Sequence, residues 1–187
     1  MDPTSELVRR CIEGDPAAFE RLVRDHMNTV LGLAYNYVGN FSAAEDIAQE
    51  TFVQAFQSLT SLRDSKRFKV WLLKIARNKS IDAIRRSPHW VSLDQDKQLQ
   101  REIALKPVAA PKDLAFEFTE DDLLTALRSL RQDYREIFVM KHIDNFSYKE
   151  ISQILGMTVS AVGEKLYRVR SMIRDKLEDM KFGSHGS

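Results

Sequence analysis

Residues 147–170 read Ser147-Tyr148-Lys149-Glu150-Ile151-Ser152-Gln153-Ile154-Leu155-Gly156-Met157-Thr158-Val159-Ser160-Ala161-Val162-Gly163-Glu164-Lys165-Leu166-Tyr167-Arg168-Val169-Arg170. Ser147 with Glu150 three positions on is a capping box, which opens a short helix carrying Ile151, Ile154 and Leu155. Gly156 suits the residue after a helix end, and Thr158 suits the cap of the next helix. Along that second helix Val162, Leu166, Val169, Ile173 and Leu177 form one apolar stripe. Ser160, Ala161, Glu164, Tyr167, Arg168 and Ser171 face the other way, at about 100° per residue. Helix, tight turn and amphipathic helix make a helix-turn-helix, and basic side chains on the exposed face of the second helix favour DNA over simple packing.

Working outward, Leu123, Leu124, Leu127 and Leu130 mark another short amphipathic helix. Asp133 to Glu136 read as the cap of a helix with Ile137, Phe138 and Met140, and the final helix runs to about Met180. Residues 88–118 hold Pro88, Pro107 and Pro111 and lack sustained periodicity. They read as a flexible linker with a short turn near Gln98–Leu105. Upstream, Asp15 and Pro16 start a long helix that Gly39 and Asn40 stop. Ser42 to Glu45 read as a capping box for a second helix ending near Ser58. Thr60 to Arg67 read as a polar loop. A third helix follows from about Phe68 to Arg86, with Phe68, Trp71, Leu72 and Ile75 on its apolar side. No segment has strand periodicity. The predicted fold is all-α, with helical domains over 5–87 and 119–181.

The net charge of +1 hides an alternation along the chain. Residues 1–58 carry four basic and nine acidic side chains, net −5, whereas residues 63–86 carry nine and two, net +7. Residues 94–122 return to −4, and residues 141–176 to +3. Two basic blocks separated by an acidic one suit two contacts with a polyanion. The single Cys11 excludes an internal disulfide and fits a reducing cytoplasm. No apolar run reaches membrane-span length. His26, His89, His142 and His185 lie far apart without metal-ligand spacing, and no phosphate loop or nucleophile motif occurs. The Glu45, Asp46 and Glu50 group reads as a solvated face, so neither catalysis nor a cofactor is expected.

Three segments together resemble the extracytoplasmic-function (group IV) sigma factors of bacterial RNA polymerase, within the sigma-70 family. Ala44-Glu45-Asp46-Ile47-Ala48-Gln49-Glu50-Thr51-Phe52 is similar to the family's polymerase-binding helix. Phe68 to Asn78 with Ile81, Asp82, Arg85 and Arg86 is similar to its −10 element helix. Leu130 to Arg170 is similar to its −35 reading helix-turn-helix. The resemblance covers roughly residues 5–87 and 119–180. It implies that Asp46, Gln49, Glu50, Val53 and Gln57 dock on the clamp coiled coil of the largest polymerase subunit.

For the melted −10 strand the resemblance points to Arg63, Lys66, Arg67, Lys74, Arg77, Asn78, Lys79, Asp82, Arg85 and Arg86. It places a flipped promoter base in the loop Thr60–Arg67, where enclosure must return the few kcal/mol that extrusion costs. Trp71 is expected in the core rather than as a stacking platform. For the −35 duplex the set is Lys149, Ser160, Ala161, Glu164, Lys165, Arg168, Arg170 and Arg174. Glu164 suits a cytosine amine, Lys165 and Arg168 suit guanine or phosphate, and Arg170 and Arg174 suit phosphate.

The family's usual Thr-Val-Lys-Ser-Arg run is here Ala161-Val162-Gly163-Glu164-Lys165, which implies an altered −35 sequence. A stretch the length of the linker reaches roughly 100 Å, enough for about 70 Å between two DNA sites two turns apart. An anti-sigma protein covering the polymerase-binding surfaces is a further implied partner. The alternative is a self-sufficient helix-turn-helix regulator that binds duplex DNA as a dimer.

Overall fold

A computed structural model of the chain describes residues 2–86 and 120–183. The linker reading and the turn near Gln98–Leu105 lie outside the described residues. The chain divides into two compact units, Met1–Ile103 and Ala104–Ser187.

The N-terminal unit starts with a helix that periodicity alone did not reveal, α1 (Pro3–Ile12). Asp2 accepts from the Ser5 amide and Pro3 occupies the first turn, where its missing N–H costs nothing. Helix α2 (Pro16–Val38) is capped by Asp15 as expected and ends at Gly39, whose φ of 64° is left-handed. Helix α3 (Phe41–Ser58) differs from expectation at its start. Asn40, not Ser42, is the cap, its side-chain oxygen accepting from Ala43 at 2.9 Å. The rule that an Asx side chain caps the amide three residues on applies two residues earlier than the Ser42–Glu45 pattern suggested.

The expected polar loop has structure of its own. It holds 3-10 turns at Leu59–Ser61 and Ser65–Arg67, the second opened by Asp64 accepting from the Lys66 amide. Helix α1 packs on this second turn as well as on α2. Helix α4 (Phe68–Arg86) follows directly. Small residues Ala44, Ala48 and Ala55 are fully buried where α3 meets its neighbours, and they let the backbones approach closely. Leu22, Val30, Phe68, Leu72 and Leu73 fill the space between α2, α3 and α4. Each such side chain contributes about 1.5–3 kcal/mol on burial.

The C-terminal unit contains α5 (Glu120–Ser129), α6 (Gln132–His142), α7 (Tyr148–Leu155) and α8 (Val159–Gly183). The anticipated stripe Val162, Leu166, Val169, Ile173 and Leu177 is buried at 0–1% exposure, and α8 packs on α5, α6 and α7. The Ser147–Glu150 capping box forms, Gly156 is left-handed at φ 69°, and Thr158 Oγ1 accepts from the Ala161 amide. Asp133 is not a cap. Helix α6 begins two residues earlier, after Arg131 and without a side-chain cap, which leaves the Asp133 carboxylate for another partner. Among the described residues there is no strand.

Candidate nucleic-acid interface

Helix α4 divides its two faces cleanly. Phe68, Leu72, Leu73, Ala76, Ser80 and Ala83 point inward, and Ser80 satisfies its hydroxyl by donating to the Ala76 carbonyl. Lys74, Asn78, Asp82, Arg85 and Arg86 are exposed, with Arg77 and Lys79 half-buried. Arg63, Lys66 and Arg67 are exposed on the adjoining loop, where Arg67 pairs with Asp64 at 3.3 Å. A strip of cations beside a fixed loop matches what a single strand demands: charge for the backbone and a rim for an unstacked base. Trp71, expected in the core, is half-buried against Phe68 with ring centres 6.0 Å apart. Part of its indole therefore meets solvent on this helix.

On α3, Asp46, Gln49, Glu50, Val53 and Gln57 are all exposed. With Gln54 and Lys79 they line one shallow groove of about 680 Å³. The structure thus brings together two sets that sequence kept apart, because Lys79 Nζ on α4 lies 3.1 Å from Glu50 Oε2 on α3. Sequence reasoning missed Phe56. It is 59% exposed beside Val53 at 57%, and its ring meets Phe19 edge-on at 4.9 Å. The signal was available: positions 49, 53 and 56 recur at helical spacing off the buried stripe. The face is therefore partly apolar, not only carboxylate and amide.

In the C-terminal unit Lys149, Ser160, Glu164, Arg168 and Arg174 are exposed, while Ala161 and Arg170 are half-buried. Tyr167, at 78% exposure, is the most open large hydrophobic side chain among the described residues, although the expected contact set omits it. Lys165 departs from expectation. Its ammonium donates to Asp133 Oδ2 at 2.7 Å and lies 5.2 Å from the centre of the Tyr134 ring. A cation so engaged braces α8 on α6 and is less available to a base than Arg168.

Burial pushes the Asp133 carboxyl up, but the Lys165 hydrogen bond and the charges of Lys165 and Arg131 outweigh it and hold the group below its ordinary value. A depressed carboxyl stabilises the fold above its unfolded pKa of about 3.9 and loses that contribution as pH falls through the folded value. The protection of α6 and α8 amides, taken relative to intrinsic exchange at each pH, is therefore expected to fall below about pH 4. In Asp133→Asn the acid limb should be shallower and protection at neutral pH lower; equal profiles would contradict the brace.

Gly163 sits mid-helix, and a Cβ built there would lie 3.6 Å from Tyr148 Cε2, an ordinary contact. Gly163→Ala is expected to stabilise the unit by about 0.5–1 kcal/mol, seen as slower exchange along α8. The added methyl faces Tyr148 inside the unit, so DNA affinity should be unchanged.

Comparison with known proteins places this geometry. Residues 22–88 match Sigma-70 region 2, and residues 120–173 match Sigma-70, region 4. The chain is 30% identical over 180 residues to the ECF RNA polymerase sigma factor SigW of Bacillus subtilis (strain 168), covering 92% of this chain and 96% of that protein. The chain belongs to the ECF sigma factors of RNA polymerase. This sigma factor also shares its fold with CnrH, solved in complex with the cytosolic domain of CnrY. That likeness has a TM-score of 0.67 at 24% identity and covers 95% of this chain and 98% of that one. The sigma factor RpoE of Bartonella quintana, solved with the anti-sigma factor NepR, matches with a TM-score of 0.63 at 22% identity, over 86% and 96% of the two chains. As a sigma factor the protein is a DNA-binding initiation subunit of RNA polymerase. Among the described residues no helix is long and apolar enough to cross a membrane.

Proposed function

We propose that the two basic faces divide promoter recognition between the two units of this sigma factor. The domain assignment is residues 5–87 for polymerase docking and the −10 element, residues 88–118 for the connection, and residues 119–181 for the −35 element. In the first unit Asp46, Gln49, Glu50, Val53 and Gln57 dock on a basic helix of the polymerase core, with Phe56 adding apolar area to that face. Exposed ion pairs contribute only about 0–1 kcal/mol each, so the partly apolar rim at Val53 and Phe56 supports the docking reading better than charge alone.

Arg63, Lys66, Arg67, Lys74, Arg77, Asn78, Lys79, Asp82, Arg85 and Arg86 serve the unpaired −10 strand. Lys149, Ser160, Ala161, Glu164, Arg168, Arg170 and Arg174 serve the −35 duplex, with Lys165 holding α8 in place and Tyr167 reaching the groove beside Arg168. The observation that carries this reading is the clean division of α4 into a packed face and a cationic face directly after a structured loop. The chain supplies recognition and strand capture in the cytoplasm, and the polymerase supplies the chemistry.

An anti-sigma protein that covers the α3 face is the matching inhibitor, a reading supported by the complex of RpoE with NepR. Gel shifts on genomic promoter fragments, with and without polymerase core, test the proposal. Core-dependent retention followed by run-off transcript is the expected result. Strong retention by the chain alone would favour the self-sufficient duplex-binding regulator instead.

A further inference from the structure

Glu50 belongs to the docking face of α3 and Lys79 to the DNA face of α4, yet in this structure they hold each other. The Lys79 ammonium donates to Glu50 Oε2 at 3.1 Å across 29 residues of sequence. The Lys79 side chain keeps 24% of its exposure and that of Glu50 keeps 54%. The carboxylate is thus the accessible partner, open to the groove that also includes Asp46, Gln49 and Val53. The lysine is the withdrawn one.

A basic helix entering that groove would compete for the Glu50 carboxylate, and an arginine fork does so with two parallel hydrogen bonds that one ammonium cannot match. Lys79 would then be released on its flexible four-carbon stem, one turn before Asp82, on the helix that faces the single strand.

We propose that Glu50–Lys79 is an exchange pair: Glu50 is a positioning residue that withholds Lys79 from DNA until polymerase docking claims the carboxylate. The inference rests on the assignment of α3 to the polymerase and α4 to the −10 strand. It adds that the two surfaces are energetically linked through one side-chain contact. By reciprocity, docking then raises affinity for the strand by the same factor as the strand raises docking. The factor is small, about two- to five-fold, which is the range a solvent-accessible ion pair supports. Its consequence is order: the free chain has reduced affinity for exposed single strands elsewhere in the cell.

Fluorescence anisotropy of a labelled random-sequence single-stranded DNA tests the exchange. The full chain is compared as wild type, Glu50→Gln, Lys79→Gln and the double variant, with circular dichroism confirming equal helicity. Glu50→Gln is expected to tighten binding by the predicted factor when Lys79 is present and to have no effect when Lys79 is glutamine. No gain from Glu50→Gln would overturn the exchange. An equal gain in both backgrounds would also overturn it, because that is general charge removal.

Strand binding by the polymerase-bound chain separates the two levels. If Lys79→Gln weakens it while the exchange has failed, the assignment of α4 to DNA stands without the coupling. If Lys79→Gln changes nothing there, the role of Lys79 at DNA falls as well.

Discussion

Phe68→Ala is expected to cost the N-terminal unit about 3–5 kcal/mol. Phe68 is 0% exposed, at the first position of α4 and one residue after the Ser65–Arg67 turn. Its ring lies 5.3 Å from the His26 ring and 6.0 Å from Trp71, so truncation opens a cavity bounded by α2 and α4. A unit of this size carries total stability of roughly 0.05–0.15 kcal/mol per residue, so the loss is a large share of the whole. The thermal midpoint of the unit should fall by at least about 12 °C. Promoter opening should fail even where some fold survives, because the loop before α4 loses its anchor. A midpoint shift of only a few degrees would mean that Phe68 is not the keystone packing implies.

The second large effect concerns charge rather than packing. Lys74, Arg85 and Arg86 are exposed on the outward side of α4, and the ties Arg85 and Arg86 make, to the Asp82 carboxylate at 3.6 Å and to the Asp82 carbonyl at 3.4 Å, are between exposed groups. Replacing all three with glutamine should leave stability within about 0.5 kcal/mol per site. On a single strand each lost phosphate contact reduces the salt slope by about 0.7. Three contacts therefore remove about two units of slope and, near 0.1 M salt, about 10²-fold in affinity. The measurement is the salt dependence of strand binding by polymerase carrying the variant. An unchanged slope would remove α4 from the DNA surface.

The comparison between pattern and structure is instructive in its particulars. Helices α2, α4, α7 and α8 were legible because period, caps and stops agreed with one another, as at Asp15-Pro16 and Ser147–Glu150. The inward stripe of α8 was read residue for residue. Helix α1 was not, since ten residues with one buried aliphatic side chain, Val8, give too short a periodic signal. The starts of α3 and α6 shifted because several polar residues near a helix start compete for the cap, and local geometry picks one.

At the candidate site, sequence separated charged residues by helix and sign. It had no means of showing that Glu50 meets Lys79, or that Lys165 turns inward to Asp133, because both contacts join helices distant in the chain. It also passed over Phe56, which lies off the buried stripe of α3 and is exposed beside Val53.

Permanganate footprinting of unpaired thymines on a selected promoter is the most direct test of strand capture by α4 and its loop. Core polymerase with the wild-type chain is expected to give reactive thymines across the −10 region, and core with the Lys74, Arg85 and Arg86 triple variant should give few or none. Wild-type and variant footprints of equal strength, or thymine reactivity produced by the chain without core, would contradict it.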